Sequence, residues 1–409
     1  MWSYKLQCFE CQRDFSTREP GFRCKSCGGL LEAKFDLAGK RKPAWNSRQP
    51  SVWKYRELLP IEKEESIVSL AEGGTGLHRC KRLGRKLGLR RLYVKNEGEN
   101  PTGSFKDRGM TVAISKAREL RKKKVICAST GNTAASLAAY SAKAGLECIV
   151  LMPKGKVAGG KMLQVIMHGA KLIQVKGDFD QALEIAMELA DKRGEFYLMN
   201  SINPFRLEGQ KTLAFEILDQ LERKVPDIVM LPVGNGGNIS AAWKGFSEFQ
   251  QLKIVKNRPR MIGIQAEKAA PIARAVKSRQ NRIRPIHNPQ TIATAIRIGS
   301  PVNWPKVLHA IRESKGTAET VTDREILYAQ KELATLEGIF VEPASAASIA
   351  GLKKLSEEGR IDRSETVVCV TTGHGLKDPS VLERLPKSRT GYNLEITDGP
   401  RVEALERIL

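Results

Sequence analysis

Apolar positions along this chain cluster in two ways. Short, nearly continuous apolar or β-branched runs occur at 92–95, 125–128, 147–152, 171–175, 228–233, 261–265 and 366–371. Between them lie longer stretches with apolar residues at helical spacing, as at 110–120, 134–144 and 239–246. Runs of roughly four to eight apolar residues bounded by turn formers read as buried strands. Strands that alternate with helices predict parallel sheets in an α/β body. We divide the chain into a cysteine-bearing segment at 1–35, a connecting arm at 36–66, an α/β body at 67–390 and a tail at 391–409. Pro43, Pro50 and Pro60, with Trp45, Trp53 and Tyr55 between them, predict that the arm lies ordered on the body. In the tail, 400–409 reads as a short amphipathic helix.

Length and composition narrow the classes. With 409 residues and 41% hydrophobic content, two or three domains with a sizeable core are expected. No apolar run approaches the ~20 residues of a membrane span. The first residues lack the apolar core of a secretory signal, so a cytoplasmic chain is expected. The net charge is +23, from 68 Lys and Arg against 45 Asp and Glu. The basic runs at 121–124 and 279–284 have no interleaved aromatic residues on which bases would stack. A solvated surface, or a field that concentrates an anionic substrate, explains them better than nucleic-acid binding.

Cys8-x2-Cys11 and Cys24-x2-Cys27 have the spacing of a small zinc ribbon, in which two turns aim four thiolates at one ion. All four positions are then taken by protein, so the metal is structural. A segment of this size cannot bury enough core to fold without such a staple. Cys80, Cys127, Cys148 and Cys369 are scattered and read as small buried residues.

Three loops carry candidate chemistry. Lys106 lies in a Gly/Ser turn, Asn100-Pro101-Thr102-Gly103-Ser104-Phe105-Lys106, just before a helical run. A helix N-terminus disfavours the ammonium, and a neutral amine attacks carbonyls to form a Schiff base. Ser129-Thr130-Gly131-Asn132-Thr133 follows a strand and opens an Ala-rich helix, a place suited to a carboxylate or phosphate. Gly234-Asn235-Gly236-Gly237-Asn238 stands in the same relation to the next strand, and its glycines let a backbone nest close on an anion. No Lys-Ser/Thr pair follows, and the pattern is not Gly-x-Gly-x-x-Gly, so neither nucleotide motif applies.

Together with Asn200-Ser201-Ile202-Asn203-Pro204-Phe205-Arg206, 294–299 and Thr371-Thr372-Gly373-His374-Gly375-Leu376-Lys377-Asp378, these loops closely resemble the threonine synthase family of fold type II pyridoxal-phosphate enzymes. The resemblance covers roughly 68–382 and implies two α/β lobes of the tryptophan synthase beta-like type, the smaller at about 110–205, with the cofactor between them. It also implies a homodimer. By the same resemblance Lys106 holds pyridoxal 5'-phosphate and later moves protons, and Phe105 packs near the ring. Asn132 meets the ring hydroxyl oxygen, and Gly234, Asn235, Gly236, Gly237 and Asn238 cradle the cofactor phosphate. Thr372 faces the ring nitrogen, with Thr371 the competing residue. Ser129, Thr130 and Thr133 bind the substrate carboxylate. Asn200, Ser201 and Arg206 bind the substrate phosphate, with Lys154 or Lys156 as further candidates.

The reaction implied is O-phospho-L-homoserine plus water to L-threonine plus phosphate, by γ-elimination and β-addition. Cysteate synthase, acting on O-phosphoserine and sulfite, shares these loops. A serine/threonine dehydratase needs no substrate-phosphate site, and Arg206 argues against it unless it pairs with Glu208 or Glu216. A zinc-ribbon nucleic-acid binder with a dead body is opposed by the intact Lys106, Asn132, glycine loop and Thr372.

Overall fold

The computed structural model describes residues 2–17, 21–41, 43–154, 159–176, 179–193 and 195–379. The amphipathic stretch expected at 400–409 lies outside the described residues.

The chain opens with β1 (Tyr4–Cys8), β2 (Asp14–Phe15) and β3 (Leu31–Phe35), a small antiparallel sheet in the order β2-β1-β3. The arm that follows winds through 3-10 turns at Trp45–Ser47, Val52–Leu58 and Glu64–Ser66. It buries Trp45 and Tyr55 completely. Trp45 stacks on Phe249 with ring centroids 5.4 Å apart, and Phe249 on Phe215 at 4.3 Å.

Next come β4 (Leu77–Arg79), α1 (Lys81–Lys86), β5 (Arg91–Asn96) and α2 (Lys106–Glu119). A second block holds β6 (Lys124–Ala128), α3 (Asn132–Ala144), β7 (Glu147–Pro153), α4 (Gly159–Met167), β8 (Lys171–Val175), α5 (Phe179–Arg193) and β9 (Phe196–Leu198). Its four strands form a parallel sheet ordered β8-β7-β6-β9. The chain then returns through α6 (Pro204–Gln210), α7 (Thr212–Gln220), β10 (Ile228–Pro232), α8 (Gly237–Gln251), β11 (Arg260–Ala266), α9 (Pro271–Lys277) and α10 (Trp304–Glu313). It continues with β12 (Thr317–Val321), α11 (Asp323–Glu337), α12 (Pro343–Glu357) and β13 (Thr366–Thr371). These complete a sheet ordered β12-β11-β10-β13-β5-β4, parallel except for β4.

All seven strands expected from the apolar runs form. Every residue of β10 is buried, as a strand covered by helices on both faces requires. β4 and β9 escape the pattern because each has only three residues. β12, Thr-Ala-Glu-Thr-Val, escapes because its buried Glu319 is held by Lys277, Lys354 and Arg360, which makes a strand look polar. Ends of β5, β6, β10 and β13 all lead into the candidate loops, so carboxyl ends from both parallel sheets meet at one place. No helix among the described residues is long and apolar enough to cross a membrane.

Candidate active site

Lys106 is the first residue of α2. Asp107 pins the turn before it, accepting from the Thr102 N–H (2.7 Å), Thr102 Oγ1 (2.6 Å) and Ser136 Oγ (2.5 Å). Burial still pushes the Asp107 carboxyl up to about 6. The turn then runs antiparallel to the segment after β13. The Phe105 N–H donates to Thr372 O (3.0 Å) and the His374 N–H to Gly103 O (2.9 Å). That pairing sets Lys106 beside Thr372, and Lys106 Nζ lies 4.0 Å from the centroid of the Phe105 ring. Burial, the Arg206 guanidinium and the Lys161 ammonium push the Lys106 amine down to about 7, partly opposed by Glu342. Its free-base form is therefore far easier to reach near neutral pH than that of an ordinary lysine.

The Gly234–Asn238 turn joins β10 to α8 on the opposite wall. Gly236 has φ +81°, and a Cβ there would lie 2.4 Å from Val307, so only glycine fits. Asn235 O accepts from the Asn303 N–H (3.0 Å), which fixes the turn to the start of α10. The first N–H groups of α8 have no carbonyl partner within their helix and are available to an anion. Thr372 lines the same cleft, and its hydroxyl meets Ser345 Oγ at 2.9 Å. Thr371 points away into the sheet, donating to Lys95 O and Asn96 Oδ1 at 3.3 and 3.2 Å. β13 ends at Thr371, and Thr372 is the first residue beyond it.

Asn132 opens α3 and donates from Nδ2 to both oxygens of Glu342, at 3.0 and 3.2 Å. Ser129, Thr130 and Thr133 belong to the same turn but sit beside the narrow cleft, not among its lining residues. Ser129 Oγ accepts from the Gly131 N–H (3.1 Å).

Arg206 reaches the cleft because α2 and α6 touch through glycines. A Cβ on Gly209 would fall 1.7 Å from Arg108 O, and one on Gly109 would fall 2.7 Å from Arg206 O. Arg206 is buried and donates to Met199 O (3.0 Å). No carboxylate among the described residues forms an ion pair with it. The pairing considered with Glu208 or Glu216 is not made: Glu208 bonds Lys211 (2.6 Å) and Lys244 (2.5 Å), and Glu216 bonds Arg108 and Lys95. Burial pulls the uncompensated guanidinium down to about 10.

Ser201 lines the cleft as well. The Asn200 amide clamps Ala128, accepting from the N–H (3.0 Å) and donating to the carbonyl (2.9 Å), and so holds the end of β6. Lys154 is exposed, and Lys156 lies outside the described residues.

Several buried polar groups here have no partner among the described residues. Of the buried side-chain atoms without a partner among the described residues, Asn132 Oδ1, Arg206 Nε, Gln210 Oε1 and Asn238 Nδ2 all belong to residues lining this one cleft. Native interiors rarely leave such groups unpaired, so this clustering fits a site built around a polar molecule. Glu342, Lys161, Ser345 and Gln210 were not anticipated from the sequence. Glu342, Lys161 and Ser345 lie far along the chain from the loops they serve, and Gln210, one turn after Arg206 on α6, carries no motif that marks it.

In the N-terminal sheet, Cys8, Cys11, Cys24 and Cys27 are free thiols whose sulfurs all lie within 4.8 Å of one another. Cys8–Cys27 and Cys11–Cys24 sulfurs are 3.5 and 3.6 Å apart. A disulfide would need about 2.05 Å. Tetrahedral coordination with Zn–S bonds of about 2.3 Å gives sulfur separations of about 3.8 Å, which the cluster matches. Cys80, Cys127, Cys148 and Cys369 are buried, as expected.

A family model described as pyridoxal-phosphate dependent enzyme matches residues 68–373. The threonine synthase of Methanocaldococcus jannaschii is 59% identical over 382 residues, covering 92% of this chain and 94% of its own. That of Methanosarcina acetivorans is 57% identical over 381 residues, covering 93% of each. That of Halalkalibacterium halodurans is 51% identical over 326 residues, covering 80% of this chain and 89% of its own. Among solved structures, the processed form of threonine deaminase isoform 2 from Solanum lycopersicum superposes with a TM-score of 0.63 at 23% identity, covering 84% of this chain and 88% of that one. Maize serine racemase gives 0.65 at 21% identity, covering 76% and 91%. These two likenesses show the shared fold.

Proposed function

We propose, from the premise that this chain belongs to the pyridoxal-phosphate dependent enzyme family and within it to the threonine synthases, that the cleft between the sheets converts O-phospho-L-homoserine and water to L-threonine and phosphate. Lys106 holds the cofactor through its amine. Phe105 packs near the ring, Thr372 offers its hydroxyl to the ring nitrogen, and Ser345 orients that hydroxyl. The Gly234–Asn238 nest takes the cofactor phosphate. When bound, the cofactor withdraws electrons from the substrate's Cα and then Cβ, which lets phosphate leave Cγ. Lys106 Nζ, with a proton affinity near neutrality, takes and returns protons at those carbons. Asn132 faces the ring oxygen, and Ser129, Thr130 and Thr133 at the start of α3 take the substrate carboxylate. Arg206, with Ser201 and Asn200, holds the substrate phosphate, and Asn200 is oriented for this by its grip on Ala128.

The observation that carries the substrate is Arg206, a buried cation in the cofactor cleft that pairs with no carboxylate among the described residues. A dianionic phosphate supplies that charge. An enzyme that only dehydrates serine or threonine has no use for it. The test compares Arg206→Met with the parent on O-phosphohomoserine and on threonine. Loss confined to the phosphorylated substrate supports the reading, whereas equal loss on both contradicts it.

The four cysteines hold a structural zinc ion. Metal analysis of reductively purified protein should find one zinc per chain, and a chelator should expose 1–35 to protease. A metal-free protein with protected 1–35 would contradict this. A homodimer is supported by Leu163, Ile166 and Met167, three large apolar side chains exposed along α4. Light scattering at assay concentration checks it, with a monomeric mass as the contrary result.

A further inference from the structure

We propose that Glu342 is a positioning residue for this reaction: held between Asn132 and Lys161, its carboxylate fixes which end of the Asn132 amide meets the cofactor's ring oxygen. The proposal rests on Asn132 facing that oxygen, as read above.

Glu342 is 1% exposed and stands immediately before α12. An acidic residue there would ordinarily cap the helix, but its side chain makes no capping bond. Both oxygens instead accept from Asn132 Nδ2, at 3.0 and 3.2 Å. An ionised carboxylate only accepts hydrogen bonds, so of the two amide orientations it permits one, with the NH2 group toward Glu342. The second N–H of that group is then left to donate to a neighbouring oxygen.

Two further features serve this contact. Gly373 has no room for a side chain: a Cβ would lie 2.7 Å from Glu342 Oε1 and 3.3 Å from Asn132 Nδ2. Glu342 also has a buried counter-charge, Lys161 Nζ at 3.5 Å from Oε2. Lys161 is itself held by Thr294 Oγ1 (3.2 Å) and Asp378 (3.7 Å). Because Lys161 is on α4 and Asn132 starts α3, Glu342 ties two of the three helices of the four-stranded block to the six-stranded block. Lys377 adds a second tie, donating to Gln164 of α4 and to Thr102 O.

The experiment records absorption and emission of the bound cofactor in the parent holoenzyme and in Glu342→Gln, Glu342→Asp and Asn132→Ala. These spectra separate the yellow form, with an ionised ring oxygen, from the near-ultraviolet form, in which that oxygen is protonated. A glutamine donates as well as accepts, so it lets the Asn132 amide turn over. Both Glu342→Gln and Asn132→Ala should move the cofactor toward the near-ultraviolet form. Glu342→Gln should lower kcat by about 10–100-fold, the range for outer groups that orient a ligand-binding side chain, with KM little changed. Glu342→Asp keeps the charge with a shorter reach. It should fall between parent and Gln variant, and it decides the matter if the Gln variant does not fold. A shift in Asn132→Ala with parent-like spectra in both Glu342 variants overturns the proposal. No shift in Asn132→Ala overturns the placement of Asn132 itself.

Discussion

Arg108 and Arg206 sit on two helices whose backbones touch, and each is 1% exposed, yet their surroundings are opposite. Arg108 is surrounded by anions: it donates to Glu97 at 2.5 and 2.8 Å and to Glu216 at 2.7 Å from two of its nitrogens. Lys95 shares Glu216 (2.8 Å). Burial pulls the Arg108 proton affinity down, but Glu216 and Glu97 together hold it well above the ordinary arginine value. Arg206 has the burial without an anion among the described residues and falls to about 10. One charge is used up in holding β5, α2 and α7 together, whereas the other is kept for a ligand. Burial alone does not distinguish structural from functional charge; the presence of a fixed counter-ion does.

The largest expected effect lies on the structural side. Arg108→Met leaves Glu97 and Glu216 buried with too little positive charge and should destabilise the fold by roughly 3–5 kcal/mol, as measured by denaturant unfolding. Its folded fraction should keep near-parental kcat/KM. Arg206→Met should do the reverse. Loss of the ligand's partner should cost about 3 kcal/mol, on the order of 10²-fold in kcat/KM for the phosphorylated substrate, with stability equal to or above the parent. If both variants lost stability alike, the contrast would fail.

A finer test uses Lys106. In cofactor-free protein its acylation rate should titrate with a midpoint of about 7. Arg206→Met removes one of the cations that lower this value, so the midpoint should rise toward that of an ordinary lysine. Arg108→Met should leave it in place, because neither Arg108 nor its partners Glu97 and Glu216 are among the charges that shift Lys106.

The smallest effect concerns a peripheral pair. Burial raises the Glu57 carboxyl, but bonds from Arg48 and Trp45 outweigh it and hold the group down at about 2. A depressed carboxylate adds stability above about pH 4.5 and loses it as pH falls through about 2. Glu57→Gln should therefore cost roughly 1–3 kcal/mol at pH 7, and the difference should vanish in acid. A pH-independent difference would show that geometry, not charge, matters there.

Much of this was legible in the sequence because it is local. Buried parallel strands read as apolar runs, and turns such as 100–105 and 234–238 carry in their own residues the reason for their shape. What was not legible depends on distant partners. Glu342 is 210 positions from Asn132, and its importance exists only once β13 brings Gly373 beside both. That the Asn200 amide also clamps Ala128 shows only in the fold. Thr371 and Thr372 differ in that β13 ends at Thr371, whose hydroxyl is held by β5, while Thr372 is the next residue and lines the cleft; that needs the strand boundary to see.

The most direct test follows phosphate and amino-acid product together from O-phosphohomoserine, with Lys106→Ala as control. The account predicts equal amounts of phosphate and threonine, both lost in the variant. No phosphate release from that substrate, with release from O-phosphoserine when sulfite is supplied, would contradict it.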